Sequence, residues 1–91
     1  MAIFSSDELR AIRKRARLNT VEMGKLIGVN PQSVSNWENK RGQPSELHSL
    51  SYYKLKEKLK NARAREINKE IKMILITGGV LAFMAYLFKD D

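Results

Sequence analysis

A charge-free segment near the C-terminus constrains the fold of this 91-residue chain more than any other feature. No charged side chain stands between Met73 and Phe88. Among the 18 residues Ile71–Phe88, Lys72 is the one charged residue. As one helix this segment would be about 27 Å long, close to the thickness of the hydrocarbon core of a bilayer. So apolar a segment has to be buried, either in lipid or against other apolar protein surface.

The charges are concentrated before that segment and are mostly positive. The chain has 17 Lys and Arg against 10 Asp and Glu, which leaves a net charge of +7. Residues 52–72 alone carry 8 basic and 3 acidic side chains. Such an excess favours a polyanionic partner, either nucleic acid or an acidic membrane surface. The pattern predicts an N-terminal domain over residues 1–51, a basic helical connector over 52–70 and an apolar C-terminal helix with a short tail over 71–91.

Composition excludes most catalytic chemistry. A chain of this length has room for one small core. It has no cysteine, so disulfides and thiolate ligands are impossible, and its one histidine, His48, is too few for a histidine metal site. We find no arrangement of nucleophile and base, and we therefore predict a protein that is not an enzyme and that uses neither a cofactor nor a metal.

Helix start and stop signals divide the first part into short helices. Ser5 with Glu8, and Asn19 with Glu22, have the spacing of capping boxes and predict helices over 6–16 and from residue 20. Three further signals follow: Gly28 ends the second helix, Asn30-Pro31 begins a third that stops near Asn39, and Ser45 begins a fourth. Because no stretch alternates as a strand does, the predicted fold is all-α.

The segment from Ile12 to Asn39 resembles the phage Cro and repressor type of helix-turn-helix, the XRE family. The resemblance is carried by the spacing of the two helices, by Gly28-Val29, by Trp37-Glu38 and by the closing Pro44-Ser45. It covers about half of the chain and implies a small bundle like that of λ repressor. Arg17 and Lys40 depart from the family pattern, which usually has glycine there. We expect both to adopt a left-handed conformation at a cost of about 1 kcal/mol each.

The resemblance also implies which residues bind DNA. The third helix would enter the major groove, where a carboxamide can bond both edge positions of an adenine. The implied base contacts are Pro31, Gln32, Ser33 and Asn36. The implied phosphate contacts are Asn19, Thr20, Asn39, Lys40 and Arg41. In addition, Arg13 and Glu38 occupy positions that pair in the family, and we expect a partly buried structural ion pair.

The second part predicts one long basic helix over residues 52–72 without a breaker. Its apolar stripe slips between Ala62 and Ile67, so a long coiled coil is not expected. The basic side chains would contact either DNA phosphates or anionic lipid.

The third part predicts a transmembrane helix over 71–88. Aromatic residues near one end and lysines near the other suit the two interfaces, and the basic flank predicts a single pass through the cytoplasmic (inner) membrane with the N-terminus in the cytoplasm. Gly78 and Ala82 have a small-xxx-small spacing, which lets two such helices pack closely. The alternative is a cytoplasmic protein in which this apolar helix makes an oligomer.

Three functional hypotheses follow. The first is a bacterial or phage DNA-binding protein anchored in the membrane by its tail, acting as a transcriptional regulator or as a DNA tether. The second is a membrane-anchored helix-turn-helix module that binds a protein partner in a membrane or cytoskeletal complex. The third is a soluble phage-type repressor whose tail oligomerises it. The expected partners are double-stranded DNA, membrane lipid, a second copy of the chain and a protein of a membrane complex.

Overall fold

The computed structural model describes residues 4–89, and every regular element in that range is an α-helix. The helices are α1 (Ser6–Arg15), α2 (Thr20–Ile27), α3 (Pro31–Glu38), α4 (Glu46–Asn61), α5 (Ala64–Thr77) and α6 (Val80–Phe88). The predicted all-α fold and the predicted order of the first four helices are confirmed.

Local caps explain where the first helices begin. The Ser5 hydroxyl accepts the Glu8 N–H at 3.1 Å, and the Glu8 carboxylate accepts the Ser5 N–H at 2.9 Å. Asn19 and Glu22 make the same reciprocal pair at 2.8 and 3.0 Å. Each box satisfies backbone donors that a helix N-terminus otherwise leaves unpaired. Both predicted capping boxes are therefore confirmed.

The turn between α2 and α3 depends on two glycines. Gly28 ends α2 in the left-handed region with φ of 79°, as glycine does at a helix C-terminus. The backbone of the turn also passes very close to Gly24, where a Cβ would lie 2.6 Å from the carbonyl oxygen of Val29. Gly24 therefore lets the turn fold back over α2 and bring α3 against it.

Two residues adopt the left-handed backbone conformation that was predicted where the chain departs from the family pattern. Arg17, between α1 and α2, has φ of 61°, and Lys40, after α3, has φ of 63°. Only glycine adopts this region without the steric cost of a Cβ, so both positions store strain.

One hydrophobic core joins the N-terminal helices to the C-terminal ones. Its N-terminal members include Leu9, Ile12, Leu26, Val34 and Trp37. Its other members come from α4, α5 and α6 and include Tyr52, Leu55, Ile71 and Phe83. The α5–α6 hairpin (residues 64–88) packs against both α2 and α4. The C-terminal third of the chain is thus part of the same core as the helix-turn-helix.

The prediction of an unbroken basic helix over residues 52–72 is wrong. α4 ends at Asn61, Ala62 is extended with φ of −151° and ψ of 163°, and α5 begins at Ala64. The break turns the chain back on itself and brings Ile67 and Ile71 into the core. Their burial favours the bent path over a straight helix that would expose them.

The prediction of one continuous apolar helix over residues 71–88 is also wrong. α5 ends at Thr77, and Gly78-Gly79 turns the chain, with φ of 124° at Gly79. Gly78 and Ala82 consequently face each other across a turn and do not form one stripe on a helix. Within residues 4–89 we find no helix with both the length and the apolar character needed to cross a bilayer. The cellular location stays a prediction, and the end of the expected short tail, Asp90-Asp91, lies outside the described residues.

Candidate nucleic-acid interface

Two carboxamides stand together on the outer face of α3. Gln32 is exposed and Asn36 is half-buried, one helical turn further on. The Nε2 of Gln32 donates to the Oδ1 of Asn36 at 3.0 Å. The hydrogen bond leaves the Oε1 of Gln32 and the Nδ2 of Asn36 as an acceptor and a donor side by side. An adenine presents the complementary donor and acceptor, N6 and N7, in the major groove.

The opposite face of α3 fixes the orientation of this pair. Val34 is fully buried, and Trp37 packs edge-on against Tyr52 with ring centroids 6.5 Å apart. The Asn30 side chain caps the helix by accepting the Gln32 N–H at 2.8 Å. Pro31 and Ser33, the other predicted base contacts, lie half-buried in the first turn. All four predicted base-contact residues therefore belong to one short, anchored helix.

The predicted pair of Arg13 and Glu38 ties α1 to the end of α3. The guanidinium of Arg13 makes two bonds to the Glu38 carboxylate, Nε to Oε2 at 2.7 Å and Nη2 to Oε1 at 2.8 Å. Its remaining Nη1 donates to the carbonyl oxygen of Leu18 at 2.8 Å. The hydrogen bonds to Glu38 raise the pKa of Arg13 above its ordinary value. The pair is structural, since its polar atoms are directed at one another.

Arg10 is a member of this cluster that sequence reasoning missed. It donates from Nη2 to the carbonyl oxygen of Glu38 at 3.1 Å, and its Nε lies 3.4 Å from the Glu38 carboxylate. A carbonyl at the end of α3 is one of the acceptors that the helix itself leaves unpaired. The only sequence signal for this role was that Arg10 lies one turn before Arg13 on α1.

The predicted phosphate contacts form two groups. One lies at the N-terminus of α2 and the other follows the C-terminus of α3, so both are remote from the turn between the two helices. Asn19 and Thr20 stand at the N-terminus of α2, where exposed N–H groups and the helix dipole favour an anion. The second group, which follows α3, is exposed and consists of Asn39, Lys40 and Arg41. Asn39 additionally donates from Nδ2 to the Ser35 carbonyl at 2.8 Å.

A carboxylate also lies at the N-terminus of α2, and a lysine from α5 compensates it. Lys72 forms an ion pair and a hydrogen bond with Glu22, which already accepts the Asn19 N–H. Burial raises the pKa of Glu22, but the hydrogen bonds from Lys72 and Asn19 outweigh it and hold that pKa below its ordinary value. Glu22 is therefore a carboxylate at neutral pH, paired with a cation.

The described residues contain no candidate metal site, because no group of His, Asp and Glu side chains within 4–89 converges on a common point.

A family model supports the fold of the N-terminal part. Residues 9–50 match the model described as helix-turn-helix, HTH_3, which covers a little less than half of the chain. Residues 9–50 are thus a DNA-binding domain of the helix-turn-helix, XRE type, and that family is not enzymatic. No curated protein and no solved structure matches the chain.

Proposed function

We propose that the protein is a sequence-specific DNA-binding regulator of transcription that recognises its site through α3. The observation that carries this proposal is the hydrogen-bonded pair of Gln32 and Asn36 on the outer face of a helix whose inner face is buried. In the helix-turn-helix arrangement the second helix enters the major groove and its N-terminal side chains contact base edges. The pair offers a donor and an acceptor at that position.

The remaining contacts would hold the domain on the duplex. Phosphate contacts fix the position and orientation of a protein on DNA but carry no direct sequence information. Asn19 and Thr20 would bind one phosphate group through the N-terminus of α2, and Asn39, Lys40 and Arg41 would bind another after α3. Ser33 and Pro31 would contact neighbouring bases, Pro31 through an apolar contact to a thymine methyl group.

We expect the full-length protein to enrich a short, defined site from a library of random duplexes. Replacing Gln32 and Asn36 together with alanine should reduce affinity for that site by about 10-fold or more for each base that is no longer recognised. Helical content and melting temperature should not change, because both side chains lie on the outer face. Binding by fluorescence anisotropy and melting by circular dichroism measure the two quantities.

The matched control is Asn61→Ala, which removes an exposed amide at the end of α4. It should leave the enriched site and its affinity unchanged. Equal footprints for the wild type and the Gln32/Asn36 variant would contradict base recognition by α3. Binding that depends steeply on salt and enriches no site would contradict a sequence-specific regulator and favour a module that binds a protein partner.

We also propose that the protein associates with a second copy of itself through the α5–α6 hairpin, as in a phage-type repressor with an oligomerising tail. Three apolar side chains around the α5–α6 turn are largely exposed: Met73 at 60%, Ile76 at 78% and Leu81 at 86%. Clustered exposed apolar residues typically mark an interaction surface. Helix-turn-helix proteins bind two half-sites as dimers, so a second copy of the chain suits this surface.

We expect the wild-type protein to dimerise with increasing concentration in sedimentation experiments. The double variant Ile76→Glu with Leu81→Glu should remain monomeric, because the substitution places two charges in the apolar contact. Leu47→Glu changes a comparably exposed leucine on α4 and serves as the control that should still dimerise. A wild-type chain that stays monomeric at every concentration, with and without its DNA site, would rule this surface out as a dimer contact.

A further inference from the structure

The charged side chains of α5 are sorted by sign around the helix. Successive side chains of an α-helix are about 100° apart, so Arg65, Lys69 and Lys72 share one side. Glu66 and Glu70 lie on a different side, rotated by about 120° around the helix axis. The structure fixes which neighbour each side approaches: Lys72 pairs with Glu22 of α2, and Glu70 accepts the Tyr86 hydroxyl of α6 at 2.8 Å. The positive side of α5 therefore adjoins α2.

A side-chain amide ties this positive side to the turn between α1 and α2. The Nδ2 of Asn68 donates to the carbonyl oxygens of Ala16 at 2.9 Å and Arg17 at 3.3 Å. Arg65 and Lys69 lie within one helical turn of Asn68 and are exposed. Arg17 is also exposed, and the N-terminus of α2 begins three residues after it. The helix turn of α5 that carries Arg65 and Lys69 therefore adjoins the α1–α2 turn, which carries Arg17 and leads into the N-terminus of α2.

The pairing of Lys72 with Glu22 makes the N-terminus of α2 more suitable for an anion. Glu22 caps that helix with a carboxylate, and an uncompensated carboxylate there would repel a phosphate. Lys72 supplies the opposite charge from α5. With Glu22 paired, the exposed cations Arg17, Arg65 and Lys69, together with Lys25 of α2, leave this region positively charged.

We propose that α5 is a second DNA-backbone-binding element. Arg65 and Lys69, together with Arg17, bind phosphates of the duplex next to the phosphate bound at the N-terminus of α2, and Lys72 neutralises Glu22 so that the backbone can approach. This inference rests on the proposed function, because it takes the position of the duplex from α2 and α3. It extends the contact surface to a part of the chain outside the matched residues 9–50.

The test compares two double substitutions that remove the same charge from different sides of the full-length protein. Arg65→Gln with Lys69→Gln removes the proposed contacts. Lys54→Gln with Lys58→Gln is the control, since these lysines lie over the rings of Phe88 and Tyr86 on the side of α4 that faces α6. Affinity for a duplex is measured over a range of salt concentrations, and the slope of log K against log salt reports the phosphates neutralised.

We expect the α5 variant to reduce the magnitude of that slope by about 2, at roughly 0.9 for each phosphate that is no longer neutralised, while the control variant keeps the wild-type slope. The α5 variant should weaken binding to all sequences equally and leave the enriched site unchanged. Equal slopes for the two variants would overturn the proposal. The experiment remains decisive if α3 recognises no specific site, because the slope can also be measured on random duplex. Failure of base recognition and failure of the α5 contact are therefore separate results.

A second pair of variants tests the role of Lys72 as a charge-compensating residue. Lys72→Met should weaken DNA binding several-fold, because it leaves Glu22 unpaired beside the phosphate. Adding Glu22→Gln should restore binding, since glutamine keeps the capping interaction without the charge. Failure of Glu22→Gln to restore binding would overturn the compensating role. Vesicles of phosphatidylserine serve as the other polyanion: if the Arg65/Lys69 variant loses vesicle binding but keeps the wild-type slope on DNA, the surface binds lipid and the proposal is wrong.

Discussion

Glu38→Ala should lower the free energy of unfolding by about 3–5 kcal/mol, a large part of the stability of a small domain. The Glu38 side chain is 3% exposed and accepts two hydrogen bonds from Arg13, whose own side chain is 12% exposed. Removing the carboxylate leaves the guanidinium buried without its counter-charge. Urea unfolding followed by circular dichroism measures the change.

Glu46→Ala provides the comparison, because Glu46 is an exposed carboxylate in the first turn of α4. Its loss should cost no more than about 1 kcal/mol, the contribution of a charge at a helix terminus. Replacing both members of the buried pair with apolar residues, Arg13→Met with Glu38→Leu, should recover part of the stability, because no unpaired charge then remains at the position of either residue. Similar losses for Glu38→Ala and Glu46→Ala would show that the pair does not hold α1 to α3.

Phe83→Ala should destabilise the protein by about 3–5 kcal/mol, the usual cost of removing a buried aromatic ring and leaving a cavity. Phe83 is fully buried in the common core, and its ring stacks on Tyr86 with centroids 6.3 Å apart. For a chain of this size each kcal/mol corresponds to about 4–8 °C in melting temperature. Thermal unfolding of the full-length variant should therefore show a decrease in melting temperature of well over about 10 °C.

Leu47→Ala is the control, because Leu47 is a leucine of α4 that is 59% exposed and lies outside the proposed dimer contact. We expect its effect to stay within about 0.5 kcal/mol. The contrast between the two residues distinguishes a tail that packs on the helix-turn-helix from a tail that does not. Equal melting temperatures for the two variants would contradict the packing of α6 in the core.

The features that could be predicted from the sequence are those set by local interactions. Ser5 and Asn19 each cap a helix through residues three positions away, so a short stretch of sequence contains the whole interaction. The left-handed conformations of Arg17 and Lys40 were predictable because the family pattern has glycine there. The DNA-binding domain was predictable because its signals are also local: its motif combines caps, a turn and an apolar spacing within residues 9–50.

The path of the C-terminal half was not predictable from local signals because tertiary packing decides it. Nothing at Ala62 breaks a helix, and the one signal was the slip of the apolar stripe between Ala62 and Ile67, where the chain in fact turns. The uncharged segment suits a bilayer and a protein core equally well by composition. In the structure Gly78-Gly79 divides it between the end of α5 and α6, and α6 buries Phe83 and Leu87 in the core.

The side-chain contacts of the candidate site could likewise be predicted only where they are local in sequence. The bond between Gln32 and Asn36 follows from their spacing on one helix. The contacts of Arg10 with α3 and of Asn68 with the carbonyl of Ala16 join residues 28 and 52 positions apart in the sequence. Such contacts depend on how whole helices pack, which no motif in this chain specifies.

The α5–α6 hairpin touches both ends of α2. Lys72 engages Glu22 near its beginning, and the side chain of Val80 lies against Gly28 at its end. The hairpin therefore supports α2 along its length, and α2 in turn packs against α3. If α3 binds DNA as proposed, a ligand that displaced the hairpin would remove both of these contacts from α2 and so change the orientation of α3 relative to the duplex.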